Sequence, residues 1–345
     1  MQQIADAAGV SRMAVSLALR NSPKISKPTA ERIRKLADEF GYRPNPMVSA
    51  LMTQLRQTRE VKRPSVLAYV TAFPTEEGWR KSGPLAAFFE GARQRASALG
   101  YTLEEWWVRR PGMTERRFCD ILQTRDIHGM IVAPMPPGAA PLQLEWPRFA
   151  AATIAYSLAS PEISRASNDH FGSINVALRE LTALGYRRIG LALIDEGEQR
   201  AQSHWVAGML AYQQQIPLAE RVPTFFGSGS IARSFASWYH EHQPYAVLSF
   251  GGECLRVFHD QGLRVPQDVG YVNLALTAGE SGTAGVNQNF DLVGAAAVDL
   301  VDGQLRRNER GVPRHARTLL IPGEWAPGPT VRDMHARPRR TRVKV

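Results

Sequence analysis

Ile4-Ala5-Asp6-Ala7-Ala8-Gly9-Val10-Ser11-Arg12-Met13-Ala14-Val15-Ser16-Leu17-Ala18-Leu19 is two short amphipathic segments joined at a glycine. Ile4, Ala5 and Ala8 share one apolar face, and Gly9 ends that helix cheaply because it alone tolerates positive φ without a Cβ penalty. Val10 plugs the turn. Ser11 is placed to cap a second helix whose inward face is Ala14, Val15, Ala18 and Leu19. Two helices joined in this way form a helix-turn-helix, a unit that lays its second helix in a DNA major groove. The outward residues Arg12, Met13, Ser16, Leu17 and Arg20 are then the candidate base readers. A third helix is expected over 29–40, with Ile33, Leu36, Ala37 and Phe40 inside, Arg32, Arg34 and Lys35 outside, and Gly41 as its stop.

Tyr42-Arg43-Pro44-Asn45-Pro46 leads into Met47-Val48-Ser49-Ala50-Leu51-Met52. Asn45 suits an N-cap and Pro46 a first helical position. About two turns of helix are marginal alone in water, so this segment is expected to form on pairing and docking. Ala8-Gly9-Val10-Ser11, Val15-Ser16, Ile25-Ser26-x-x-Thr29 and Gly41-Tyr42-Arg43-Pro44-Asn45 together resemble the lactose/galactose repressor (LacI-type) family of transcriptional regulators. The resemblance implies a hinge helix that inserts a leucine, here Leu51, into the minor groove at the operator centre. Such a wedge unstacks a base step and kinks the duplex. The family usually opens with a Thr-led turn before helix 1, which this sequence lacks; a start upstream of Met1 is one expectation, a frayed helix 1 the other.

Charge follows the same division. The net charge is +10, but residues 1–63 carry twelve Lys/Arg against five Asp/Glu, and residues 332–345 carry six against one. The stretch between is slightly acidic. Basic ends on a near-neutral body suit a protein that meets phosphate. Cys119 and Cys254 are far apart and lack metal-ligand spacing, so they are expected as free buried thiols in a reducing compartment. The sequence shows neither a signal peptide nor a twenty-residue apolar run, which points to the cytoplasm and away from a membrane partner.

From residue 65 the pattern alternates between strand and helix. Strands are expected over 65–70, 102–108, 129–134 and 151–155, with helices over 85–99 and 114–124. A second run carries helices over 172–184, 203–214 and 231–241, and strands over 189–194, 224–226, 246–250 and 270–274. Two successive βαβ runs predict two doubly wound, parallel-sheet lobes with a ligand cleft at the carboxyl ends of the strands. The fold class is therefore an all-α helix-turn-helix headpiece followed by an α/β, periplasmic-binding-protein-like core. Expected boundaries are 1–45 for the headpiece, 46–64 for hinge helix and linker, 65–332 for the effector-binding and dimerisation core, and 333–345 for a basic tail. Core stretches 126–131, 184–189 and 262–269 extend the resemblance.

In the family, sugar effectors are commonly held by an Arg three residues before a Gly, an Asn-Asp pair and a late Asp. The matching positions here are Trp205, Gly251-Gly252 and Ala275. A typical sugar-repressor pocket is therefore not expected. Asp169, Trp205, Glu253, Asn273 and Gln288 are the candidate effector-cleft residues, with Trp205 either a stacking platform or plain core filling. Enzyme readings find little. Gly227-Ser228-Gly229-Ser230 lacks a third glycine, and His240-Glu241-His242 points its imidazoles apart on a helix. No catalytic residue, metal site or cofactor is expected.

The functional expectation is a homodimeric, sequence-specific DNA-binding regulator, most simply a repressor, on a near-palindromic operator, with a small effector in the cleft. No leucine heptad follows the core, which favours a dimer over a tetramer. Arg12 suits guanine; Met13 offers an apolar contact, Ser16 reaches phosphate or base, and Leu17 departs from the family's common Arg. Lys24, Ser26, Thr29 and Asn45 suit phosphates. The alternative is a cytosolic small-molecule binding protein with a degenerate headpiece.

Overall fold

The computed structural model describes residues 2–19, 22, 24–42, 65–194, 201–228 and 231–335. The expected hinge helix with Asn45 and Leu51, together with Arg20 and Gly229-Ser230, lies outside the described residues, as does the tail beyond 335.

Three helices build the headpiece: α1 (Gln2–Ala8), α2 (Arg12–Leu19) and α3 (Lys27–Glu39). Their core is Ile4, Ala5, Ala8, Val15, Ala18, Ala30, Ile33 and Ala37, with Val10 packed against it. Two details depart from the sequence expectation. Helix α3 starts at Lys27, where Pro28 supplies a pre-set φ in the first turn. Phe40 is 52% exposed, because it is the residue after the last helical turn and swings away from the apolar stripe.

The body holds two six-stranded sheets. In chain order the elements are β1 (Ser65–Thr71), α4 (Gly83–Ala98), β2 (Tyr101–Trp107), α5 (Glu115–Thr124), β3 (Gly129–Val132), β4 (Ala150–Ile154), β5 (Ser164–Asn168), α6 (His170–Ala183), β6 (Ile189–Ile194), α7 (His204–Gln213), β7 (Phe225–Gly227), α8 (Ala232–His242), β8 (Ala246–Ser249), α9 (Glu253–Asp260), β9 (Gly270–Leu276), β10 (Gly285–Asn287), α10 (Phe290–Arg307), β11 (Thr318–Ile321) and β12 (Glu324–Ala326). The first sheet runs β11-β5-β4-β3-β1-β2, parallel throughout. The second runs β12-β10-β9-β8-β6-β7, with β12 antiparallel on its edge.

The two lobes are not two successive stretches of chain, and this corrects the sequence expectation. After β10 the chain returns to the first lobe as α10 and β11, then crosses again to β12. Helix α10 covers the first sheet beside α4, burying Val293, Ala297, Val298 and Val301 against Leu67, Ile131 and Ala152. Its approach to α4 needs glycine on both sides. A Cβ on Gly91 would lie 1.9 Å from the Asp291 carbonyl oxygen, and one on Gly294 would lie 1.9 Å from that of Phe88. The chain also stays packed past the expected core end at 332: Met334 N donates to Leu184 O at 2.8 Å.

Both cysteines are buried and unpaired. Burial pushes the Cys254 thiol up to about 12, with Ser249 Oγ its hydrogen-bond acceptor at 3.3 Å. Among the described residues, no helix is long and apolar enough to cross a membrane.

Gly91→Ala is expected to destabilise the body by about 3 kcal/mol, since backbone must move to admit one methyl group. A urea unfolding series reads this as a lower midpoint. Gly252→Ala, with no heavy atom within 4 Å of the added carbon, should stay within about 1 kcal/mol.

Candidate nucleic-acid interface and inter-lobe cleft

The turn between α1 and α2 is fixed by backbone. Gly9 sits at φ +62°, and Val10 N donates to Ala5 O at 3.0 Å. Ser11 Oγ accepts from Ala14 N at 3.1 Å, the expected cap of α2. Arg12 and Met13 are fully outward, Met13 at 72% exposure, while Ser16 and Leu17 are half-buried beside them. These four side chains therefore share the outer face of α2.

Lys24 is exposed in the turn before α3. Ser26 Oγ and Thr29 Oγ1 share a hydrogen bond of 2.8 Å, leaving a compact pair of hydroxyls at the amino end of α3. Arg32, expected as a solvated outer residue, instead donates from Nη2 to Ala8 O at 2.9 Å. It closes the carboxyl end of α1, a role that sequence spacing does not reveal because the residues are 24 apart.

The cleft between the lobes is bounded by strand ends and helix starts. Asp169 is the N-cap of α6, its Oδ1 accepting from Gly172 N at 2.8 Å. Asn273 Oδ1 accepts from Ala275 N at 3.0 Å and Gly251 N at 3.3 Å, so it shapes the turn after β8. Gln288 is buried at the lobe crossing: Nε2 donates to Leu274 O at 2.6 Å and Oε1 accepts from Ser173 Oγ at 3.3 Å. Trp205 is 2% exposed, covered by His170 (4.8 Å between ring centroids) and Phe250 (5.3 Å), and so offers no open stacking face. Glu253 stands half-buried in the first turn of α9. The candidate polar residues thus do not converge as one set; most of them hold the cleft walls.

What the structure brings together instead is an aromatic and histidine cluster. Tyr156, just past β4 of the first lobe, meets His204 edge-on at 5.5 Å and lies 6.5 Å from His170, both in the second lobe. Arg165 lies over the Tyr156 ring at 5.2 Å. His170 Nδ1 is sealed from solvent with no hydrogen-bond partner among the described residues. Desolvation, and then the neighbouring His204, lower its pKa from 6.5 to about 4. On the first-lobe wall, Tyr69, Trp79 and Phe89 pack edge-on or tilted at 5.0–6.0 Å, and Tyr69 Oη and Trp79 Nε1 are buried without a partner among the described residues. None of these residues lies in a motif, and they come from a strand interior (Tyr69), a helix (Phe89), a short helical turn (Trp79) and helix starts (His170, His204), so no common sequence signal marks them.

A family model described as bacterial regulatory proteins, lacI family, matches residues 1–45, and one described as a periplasmic binding protein-like domain matches residues 178–331. Residues 1–45 are thus a lacI-type headpiece. With this headpiece on a periplasmic-binding-protein-like core, the chain is a sequence-specific DNA-binding transcriptional regulator of the lacI type. It is 26% identical over 324 residues to the HTH-type transcriptional regulator PtxS of Pseudomonas plecoglossicida, covering 90% of each chain. A 65-residue stretch is 38% identical to the HTH-type transcriptional regulator IdnR of Escherichia coli (strain K12), covering 19% of this chain and 20% of that one. The fold is similar to the transcriptional regulator CelR in its cellobiose complex, with TM-score 0.56, 18% identity and coverage of 95% and 98%. It is likewise similar to the lac repressor dimer bound to operator and the anti-inducer ONPF, with TM-score 0.55, 19% identity and the same coverages.

His170 gives the core a predictable acid response. An unfolded His charges near 6.5, whereas the buried ring stays neutral down to about 4. The unfolded chain therefore binds more protons across that window, and the stability of the neutral ring is lost as pH falls from 6.5 to 4. His170→Phe is expected to remove up to about 3 kcal/mol of that loss, measured as the difference between the two proteins' stability-against-pH curves.

Proposed function

We infer that two copies of this LacI-family chain grip the halves of a near-palindromic operator in the cytoplasm. A ligand in the inter-lobe cleft then shifts the balance between DNA-competent and released arrangements. The carrying observation is the outer face of α2, where Arg12 and Met13 project freely from a helix whose inner face is fixed by Val15 and Ala18. Arg12 reads guanine O6 and N7 through its guanidinium fork, a contact that discriminates by about 1–3 kcal/mol. Met13 and Leu17 offer only apolar contact, suited to a thymine methyl, and Ser16 adds a short polar reach. Arg20 extends the same reading face. Lys24 and the hydroxyl pair Ser26–Thr29 meet phosphates and set register, as does Asn45. Leu51 wedges the central base step, where a flexible pyrimidine–purine step costs least to kink.

The cleft supports a ligand other than a typical sugar-repressor effector. Its lobes meet through Tyr156, His170 and His204, not through an Arg and carboxylate set. A ligand entering between them replaces those ring contacts and finds Glu253 and the histidines as its polar partners. It acts by favouring one lobe arrangement over the other, since a ligand shifts an equilibrium only by its differential affinity.

Selection of random duplexes by the full chain, read by sequencing, should return a two-fold motif. Arg12→Ala should relax base choice within each half-site. Lys24→Ala should weaken all duplexes alike and reduce the slope of log affinity against log salt by about 1. Leu51→Ala should lower operator affinity and bending together. Equal losses on matched and mismatched sites for Arg12→Ala would overturn its assignment as a base reader.

A further inference from the structure

The turn from α10 to β11 is the most basic feature of the body. Over 306–317 it holds Arg306, Arg307, Arg310, Arg314 and Arg317 against one acid, Glu309. It lies along the amino ends of the first-sheet strands. Gly311 N donates to Phe149 O at 2.9 Å just before β4, and Arg317 N donates to Ser164 Oγ at 3.2 Å at the start of β5. Between the turn and the sheet edge is a cavity of about 460 Å³, lined by Ser164, Arg307, Arg310, Arg314, His315 and Arg317 among others.

The charge in this cavity is not balanced from within. Glu309 is taken by Arg307 in a two-pronged pair of 2.7 and 2.9 Å, and that hydrogen-bonded pair, with the field of Arg317, holds its carboxyl below the usual range. Arg306 is paired with Asp302 at 2.6 Å. Arg310 spends one Nη on the Arg148 carbonyl at 3.2 Å. The Arg314 and Arg317 guanidinium groups make no hydrogen bond or ion pair among the described residues. The negative carboxyl end of α10 accounts for part of the excess, but five arginines outnumber what a helix end and the two carboxylates Asp302 and Glu309 neutralise.

We propose that this cavity is a second ligand site of the core, distinct from the inter-lobe cleft, for a small phosphate-bearing molecule. Arg314 and Arg317 supply forks matched to phosphate oxygens. Arg310 and His315 add donors at the rim. A volume of about 460 Å³ suits a small organic phosphate, and a concave site fits such a molecule better than the convex backbone of a duplex. The site sits at the end of the first lobe where β1 begins at Ser65, next in sequence to the segment that leads to the headpiece. A ligand there bears on the end of the core from which the DNA-binding unit departs.

The test uses the full chain and inorganic pyrophosphate as probe, titrated by calorimetry at low salt. One saturable site per chain is expected, weakened at least tenfold in the Arg314→Ala/Arg317→Ala double variant. The double Lys variant keeps the charge without the fork and should fall between the two. Thermal unfolding without probe confirms that each variant folds, and the Lys variant carries the test if the Ala variant does not. Pyrophosphate binding that is absent, unsaturable or unchanged in these variants overturns the proposal. So does a double variant that loses only affinity for duplex DNA, which would make the cluster a backbone contact.

Discussion

The lobes of this protein are held to each other where three passages of chain run side by side, chiefly by the buried amides of Asn168 and Gln288. Asn168 Nδ2 donates to the Gln288 carbonyl at 2.6 Å, and the Gln288 side chain is itself anchored to Leu274 and Ser173. Asp169 N donates to Ile321 O at 2.8 Å, and Asn289 Nδ2 to Pro322 O at 3.1 Å. A buried amide left without partners is costly, so these bonds must persist through any lobe movement. The crossing therefore acts as a fixed pivot. Beside it Tyr156 meets His170 and His204 through ring contacts, a looser link than the amide bonds.

The headpiece was legible in the sequence almost to the residue, because its information is local. A glycine at a forced turn, a serine cap and a 3.6-residue apolar period all act within a few residues of one another. The body was legible only where strands were apolar. Strand β5, Ser164-Arg165-Ala166-Ser167-Asn168, is buried along its whole length, yet its composition resembles a loop. Helix α10 was hidden for the opposite reason. Its buried positions Phe290, Val293, Gly294, Ala297, Val298 and Val301 do recur at helical spacing, but the glycine and alanines among them serve backbone approach to α4 and the sheet, which dilutes the apolar signal. Missing these two elements also concealed the exchange of chain between lobes.

The sites divide along the same line. The outer face of α2 follows from helical spacing alone. The cleft does not, because Asp169, Asn273 and Gln288 look in sequence like polar residues awaiting a ligand, while in space each already has partners. Trp205 looks in sequence like a stacking platform, yet its ring is absorbed by the second-lobe core. Tyr156, His170 and His204, which do face across the cleft, come from separate elements 14 and 48 positions from Tyr156, beyond the reach of periodicity or motif.

The return of α10 to the first lobe also orders events during synthesis. Residues 65–168 can form most of a parallel sheet with α4 on one face, but the rest of that face stays uncovered until residues 290–307 have left the ribosome and packed beside α4. The second lobe, residues 169–287, emerges during that interval. An apolar sheet face including Leu67, Ile131 and Ala152 is thus exposed while more than a hundred residues are made. At about 5–20 residues per second this lasts some seconds to tens of seconds. A chain ending before 290 would lack the helix that completes the cover of this sheet face.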